Sequence, residues 1–442
     1  MSYKFYGGVH PPTSKTLSSD RPIKRVPIPK KVVLPLLQHT GSPAEPLVTA
    51  GDEVTVGRMI AKPSGFISSA IHATISGRIT KIGYSPTPTQ GRVLSVTIES
   101  NKDEDQQVKA PAAPRHIEAF SKEELLNMIR DAGIVGLGGA AFPTNVKLSP
   151  PKTKPIDTVI LNGAECEPYL TCDHRIMLEK TKEVLKGLDI IVKILGAKKA
   201  YIGIEDNKLS AIYATDRALE ALKEKGACAN FEIAVLKTKY PQGAEKQLIK
   251  SILNRVVPAG GLPMDVGCVV QNVGTVFAVY EAVYFVKPLI ERVVTITGLC
   301  VREPVNLWVR IGTLLSDLVD AFGGFTKAPK KIIVGGPMMG VSQYTMEIPI
   351  TKGVCGIIFL GEDELDRSTE SVCIRCGRCI EVCPMGLAPT TLMHRVKKDD
   401  FGEAKELGIM HCYECGSCGY VCPAKIPLLD YMKFGKAKLI TV

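Results

Sequence analysis

The sequence predicts a multidomain α/β protein: a β-rich amino-terminal module, an α/β domain with a mainly parallel sheet, a smaller mixed module and a helical, cysteine-rich end. Three patterns predict this. Residues 30–100 hold short apolar runs broken by Gly and Pro, the pattern of strands and turns. Residues 115–287 alternate strand-like and helix-like stretches, which implies a mainly parallel sheet covered by helices. Eight of the 14 cysteines crowd between Cys373 and Cys422. The expected divisions are 1–114, 115–290, 291–362 and 363–442.

Composition narrows the function. The chain has 442 residues, 45% hydrophobic and 23% charged, which is ordinary for folded protein and excludes global disorder. The longest apolar stretch, 268–286, contains Gln271, Asn272 and Glu281, so it makes a poor lipid-facing helix. Residues 1–10 have no apolar signal-peptide core, so the chain is expected to stay in the cytoplasm. A disulfide framework fits badly there, and paired cysteine clusters point to metal. The net charge of +10 is spread without a long basic run, which suits a mixed solvated surface and no nucleic-acid partner.

In the first module, the stretches Val48 to Gly57 and Ile71 to Ile79 resemble a biotinyl/lipoyl-type barrel-sandwich. No lysine stands at the usual carrier position, where Ser69, Ala70 and Ile71 lie, so a structural or docking role is expected. Residues 90–114 read as an exit strand followed by an Ala/Pro linker.

The central region begins with a helix over 121–132, opened by a capping box of Ser121 and Glu124. Strands are expected at 158–161, 200–204 and 231–236, and helices at 209–225 and 244–254. Ligands of such folds bind in loops beyond the carboxyl ends of the strands. Three loops qualify. The first carries Gly136, Gly138 and Gly139, then Pro143 and Lys147. Glycines let a backbone approach a ligand, and a lysine adds a point charge for phosphate. Gly136, Gly138 and Ala141 match the dinucleotide pattern, but they follow a helix instead of a strand, so the usual context fails. The second loop holds Asn162, Glu165, Cys166, Glu167 and Pro168 directly after a strand. The third runs from Tyr240 through Gly243 to Glu245, with Asn272, Gly274 and Thr275 downstream. Taken singly, the first two loops read by default as structural turns.

Residues 291–344 show short strands near 293–297, 305–309 and 332–334 and a helix over 313–321. The carboxyl end then repeats one motif. Cys373, Cys376, Cys379 and Cys383-Pro384 are followed by Cys412, Cys415, Cys418 and Cys422-Pro423. This is the bacterial ferredoxin spacing, in which three close cysteines wrap one 4Fe–4S cluster and the fourth ligates the other. On that logic Cys373, Cys376, Cys379 and Cys422 hold one cluster, and Cys412, Cys415, Cys418 and Cys383 the other. Zinc is the alternative, but its sites use two Cys-x-x-Cys pairs or Cys/His mixtures. Residues 390–407 read as helical, which predicts a helical ferredoxin domain. His394 and His411 are expected at the surface. Most of the remaining cysteines (Cys166, Cys172, Cys228, Cys268, Cys300 and Cys355) are expected to be small buried hydrophobes.

In combination these features resemble a known family. The run from Gly136 to Lys147, the loop from Asn162 to Pro168 and the twin cysteine motifs occur in the order found in the C-subunit family of Rnf electron-transport complexes. The flavin- and NADH-binding subunit of respiratory complex I is similar but more distant. Gly7 to Pro12 and Leu34 to His39 also look like the Rnf family. The resemblance covers nearly the whole chain. It implies a barrel-sandwich module, a Rossmann-like FMN/NADH-binding domain, an SLBB-like β-grasp module acting as scaffold, and a helical two-cluster ferredoxin domain. Gly136, Gly138, Gly139 and Lys147 would line the cofactor site, with Asn162, Glu165 and Glu167 beside the flavin ring and nicotinamide. Gly243, Glu245, Asn272 and Thr275 would complete it, and Glu165 and Glu167 would be catalytic.

The implied cofactors are two 4Fe–4S clusters, FMN and NAD(H). The implied partners are the ferredoxin-like B subunit and the membrane subunits of an ion-translocating complex, and ferredoxin indirectly, at the cytoplasmic face of the membrane. Two positions depart from the complex I pattern: Leu137 stands in place of an arginine, and Ala244 in place of an acidic residue. Two other functions fit the same motifs. One is a soluble flavin/iron–sulfur reductase such as a cobalamin reductase; the other is a cluster-bearing scaffold with a vestigial nucleotide site.

Overall fold

The structure, a computed structural model, describes residues 4–101, 106–108, 111, 114–115 and 117–441. Part of the Ala/Pro linker expected at 90–114 therefore lies outside the described residues; its strand is present as Gly91–Ser100.

Four apolar segments form the central sheet: β1 (Thr158–Gly163), β2 (Lys199–Glu205), β3 (Phe231–Leu236) and β4 (Cys268–Asn272). All pair in parallel, in the order β3-β2-β1-β4. The run Val159, Ile160, Leu161 is buried without alternation, as expected for a strand covered on both faces. Around it stand α1 (Lys122–Asp131), α2 (Cys172–Glu179), α3 (Thr181–Leu195), α4 (Leu209–Lys223), α5 (Glu245–Leu253) and α6 (Val273–Phe285). Ser121 and Glu124 form the expected capping box on α1: Ser121 N donates to Glu124 Oε2 at 2.7 Å, and Glu124 N to Ser121 Oγ at 3.2 Å. At Gly187 of α3 a side chain would collide with the Val276 carbonyl of α6, so only glycine lets these two helices close. The strand order reverses between β1 and β4. A crevice therefore opens at their carboxyl ends, the place where open α/β sheets take ligands.

The apolar stretch 268–286 divides into β4 and α6, buried inside the domain. Among the described residues no helix is long and apolar enough to cross a membrane. Two expected helices differ. Residues 313–321 form a 3-10 helix, Leu315–Phe322. Residues 390–407 break into Pro389–Lys397 and Phe401–Glu406. The break lies at Asp399, which adopts φ 55°, while the Asp400 side chain caps the second helix through Glu403 N. The helix Leu428–Thr441 and helices α2 and α3 are additions to the elements expected.

The amino-terminal module packs a four-stranded sheet against a three-stranded one, with Val32, Leu34, Ile60, Ile79, Val96 and Ile98 in its core. The β-grasp sheet runs through Glu291–Thr297, Val305–Arg310 and Gly356–Leu360 over a core of Phe322 and Phe359, whose ring centroids are 5.6 Å apart. The first residues of the chain serve neither barrel sheet. Lys24–Arg25 adds a parallel edge strand beside Val305–Arg310, and Val9 bridges to Tyr240 in the central domain.

Candidate functional site: a switch-point crevice beside paired cysteine loops

The crevice is built by the ends of β1 and β4. Asn162, at the end of β1, donates from Nδ2 to the Gly243 carbonyl at 2.8 Å, tying the second loop to the third. Asn272, at the end of β4, caps α6 by accepting from Thr275 N at 3.3 Å. The Thr275 hydroxyl in turn accepts from Leu137 N at 2.8 Å, which lays the glycine loop across the crevice. A Cβ on Gly138 would stand 3.3 Å from Asn272 Nδ2, whereas one on Gly139, at φ 109°, would meet nothing within 4 Å among the described residues. Beneath the loop the buried Arg292 donates to the Leu137 carbonyl at 3.1 Å. Leu137 is itself buried against Gly274, so its side chain belongs to packing. Lys147 ends the turn Thr144–Lys147 and is ion-paired with Glu245 at the start of α5. Ala244 precedes that helix as its cap residue.

The acidic loop is held as tightly. Glu165 adopts φ 43° and folds its carboxylate back over the first amides of α2, accepting from Asp173 N at 2.7 Å. Glu167 accepts from Met338 N at 3.1 Å and Met339 N at 3.0 Å, both on a loop of the β-grasp module. Burial pushes the Glu167 carboxyl up to about 7, against those amides, the Tyr240 hydroxyl and the Lys15 charge. Asp173, which sequence reasoning missed, accepts from Asn272 Nδ2 at 2.6 Å. Burial and the Glu165 carboxylate push its pKa up. Its only sequence signal is a polar Cys-Asp-His run just after the acidic loop. Tyr240 is 1% exposed, and its hydroxyl donates to the Cys415 carbonyl at 2.8 Å while lying 3.4 Å from Glu167 Oε1.

The two cysteine loops share one backbone course. Arg375 and Glu414 adopt φ 57° and 60°, and Gly377 and Gly416 adopt 76° and 77°. These left-handed steps turn amides onto sulfur: Arg375 N lies 3.4 Å from Cys373 Sγ, and Glu414 N 3.3 Å from Cys412 Sγ. Cys383, Cys412, Cys415 and Cys418 line one cavity walled by Pro384, Leu392, Leu429 and Met432. Cys379 instead has Cys422 as its electrostatic neighbour, and Cys373 and Cys422 pack on the same apolar core. Cys376 is exposed. Of the remaining cysteines, Cys172, Cys228, Cys268 and Cys300 are buried, while Cys166 and Cys355 are partly so. His394 is exposed.

These residues suit the groups their patterns imply. The crevice offers glycine backbone, one lysine and three side-chain amide or hydroxyl groups, a donor set for a phosphate and a polar ring edge. At the base of the glycine loop the buried Thr144 hydroxyl has no partner among the described residues. Burial pushes the Cys412 thiol up to about 11 and Cys418 to about 12. Such thiols become thiolates only against a strong positive charge, which iron would supply.

Comparisons with known proteins agree along the chain. A family model described as the RnfC barrel sandwich hybrid domain matches residues 3–103, and one described as the Nuo51 FMN-binding domain matches 129–281. The SLBB domain matches 293–342 and a 4Fe-4S dicluster domain 365–423. The C subunit of a proton-translocating ferredoxin:NAD(+) oxidoreductase complex from Clostridium ljungdahlii is 48% identical over 439 residues, 99% of this chain and 94% of that protein. The C subunit of a Na(+)-translocating complex of the same type from Acetobacterium woodii is 41% identical, covering 99% and 97%. The C subunit of an ion-translocating oxidoreductase complex from Rhodobacter capsulatus is 42% identical, covering 99% and 84%.

Proposed function

The chain belongs to the family of C subunits of ion-translocating ferredoxin:NAD(+) oxidoreductase complexes, the Rnf type, and from that membership we propose a division of labour among its residues. Gly136, Gly138, Gly139 and Lys147 hold the phosphate of FMN. Asn162, Gly243, Asn272 and Thr275 fix the edge of the flavin ring, and Glu165 and Glu167 shape the side where the nicotinamide of NAD(H) lies. Glu245 screens Lys147 at the rim. Bound there, FMN supplies the conversion between a two-electron hydride and the single electrons that iron–sulfur clusters carry.

Cys383, Cys412, Cys415 and Cys418 hold the inner cluster; Cys373, Cys376, Cys379 and Cys422 hold the outer one. Tyr240 supports this order most directly, since one hydroxyl touches both the acidic loop and the backbone of a ligand to the inner cluster. The outer loop carries Val372 and Ile374, 87% and 67% exposed, beside Arg375 and Arg378. An apolar tip rimmed by arginine suits an acidic redox partner such as the ferredoxin-like B subunit. The chain docks peripherally on membrane subunits at the cytoplasmic face. Its working domains are 1–114, 115–290, 291–362 and 363–442, with the first residues lent to the later domains.

A soluble cobalamin-type reductase is not favoured, because relatives matching 99% of the chain are subunits of translocating complexes. The anaerobically purified chain is expected to show flavin and iron–sulfur absorbance that NADH bleaches. A preparation with both clusters that is flavin-free and inert to NADH overturns the reading, and leaves the vestigial scaffold in its place.

A further inference from the structure

We propose that Lys15, on the amino-terminal strap, is a positioning residue for this reaction: its buried ammonium holds the backbone of the acidic loop in the shape that serves the crevice. This rests on reading the crevice as the FMN/NADH site.

Lys15 opens the 3-10 turn Lys15–Leu17, and its side chain disappears beneath the loop, leaving the residue 8% exposed. Its ammonium donates to the carbonyls of Glu165 at 2.8 Å, Glu167 at 2.9 Å and Leu170 at 2.6 Å. A lysine has three donors, and all three are spent on this one loop. Three carbonyl oxygens converging on one point repel each other unless a cation sits between them. The same loop carries two residues in the left-handed region, Glu165 at φ 43° and Tyr169 at φ 69°. Side chains rarely adopt that conformation, so the loop needs outside ties to keep it. Lys208 supplies a tie at the preceding residue, donating to the Ala164 carbonyl at 2.6 Å. Burial and the Lys208 charge pull the Lys15 pKa below its ordinary value, while the Glu165 and Glu205 carboxylates support its charge.

The strap is itself anchored on both sides of the crevice. Gly8 N donates to the Val382 carbonyl next to Cys383, and Val9 N to the Tyr240 carbonyl, each at 2.8 Å. Tyr169 N donates to the Thr13 carbonyl at 2.8 Å, and the hydroxyls of Ser18 and Thr171 meet at 2.7 Å. The shape of the acidic loop is thereby set by a segment about 150 positions earlier in the chain, which also touches the inner cysteine loop.

The test compares the full anaerobic chain as wild type, K15M and K15R. Methionine removes all three donors at similar length. Arginine keeps the charge, but its planar fork cannot place three donors on three converging carbonyls. Both variants are expected to keep both clusters by iron content and electron paramagnetic resonance. Hydrogen exchange of the amides at 164–171 is expected to quicken in K15M, and the KM for NADH to rise about tenfold or more in both variants, with a smaller change in kcat. If K15M does not fold, K15R decides alone. Wild-type exchange or a wild-type KM in the folded variants overturns the proposal while the crevice reading stands. A wild-type chain inert to NADH overturns both.

Discussion

The proposed crossed ligation of the two clusters gives a prediction whose two outcomes are opposite. Cys383 lies four positions after Cys379, yet it shares a cavity with Cys412, Cys415 and Cys418. Its backbone neighbourhood is equally fixed, since Leu387 N donates to Cys383 Sγ at 3.3 Å and Gln247 Nε2 to the Pro384 carbonyl at 3.0 Å. Turning the sulfur toward its own loop would break its contact with Leu387 N. Two 4Fe–4S clusters hold about eight iron atoms per chain, so losing one cluster removes about four. C383S and C418S are each expected to lose about four. The double variant C383S/C418S should lose no more than either single, because both ligands serve one cluster. C383S/C376S should lose nearly all eight, because they serve different clusters. Iron and acid-labile sulfide on anaerobically reconstituted protein, with the reduced spectrum as a second readout, measure this directly. If C383S/C376S keeps about four iron atoms and C383S/C418S loses all of them, the fourth cysteine serves its own loop and the geometric reasoning fails.

Three further outcomes follow from side chains around the crevice and in the barrel module. E167Q is expected to remove an inflection near pH 7 from the profile of NADH-driven flavin reduction, since burial pushes Glu167 up to about 7. An E167Q profile that keeps the inflection refutes the assignment. K147M is expected to weaken FMN retention about tenfold, read by fluorescence titration, by removing the crevice's point charge; unchanged affinity would place the phosphate elsewhere. In the barrel module burial lowers His39 to about 4 and His72 to about 3. A depressed histidine stays neutral in the fold and takes up a proton on unfolding. Stability is therefore constant above about pH 6.5 and falls below it, by on the order of 3 kcal/mol for His39 by pH 4. Calorimetry of H39Q between pH 7.5 and 5 should show a smaller drop in melting temperature than wild type; an equal drop would mean the histidine does not carry the effect.

Local chemistry made much of this chain readable in one dimension. The strand Thr158–Gly163 and the capped helix Lys122–Asp131 announce themselves because burial on two faces and satisfaction of helix-end amides leave residue patterns of short range. The paired cysteine runs do the same, since wrapping a cluster requires three thiols within one tight loop. The break between Pro389–Lys397 and Phe401–Glu406 was not legible, because a left-handed aspartate is a backbone choice that no apolar period records.

By itself the sequence determined the repeated ligand motif, the alternation that builds a parallel sheet and the candidate loops around one crevice. Only the tertiary structure decided how those loops are held. Lys15 under the carbonyls of the acidic loop, Arg292 under the glycine loop, Asp173 beside Asn272 and Tyr240 against Cys415 all join residues far apart in the chain. The physical reason is that a buried polar group must find a partner wherever packing places one, and that partner need share no sequence period with it.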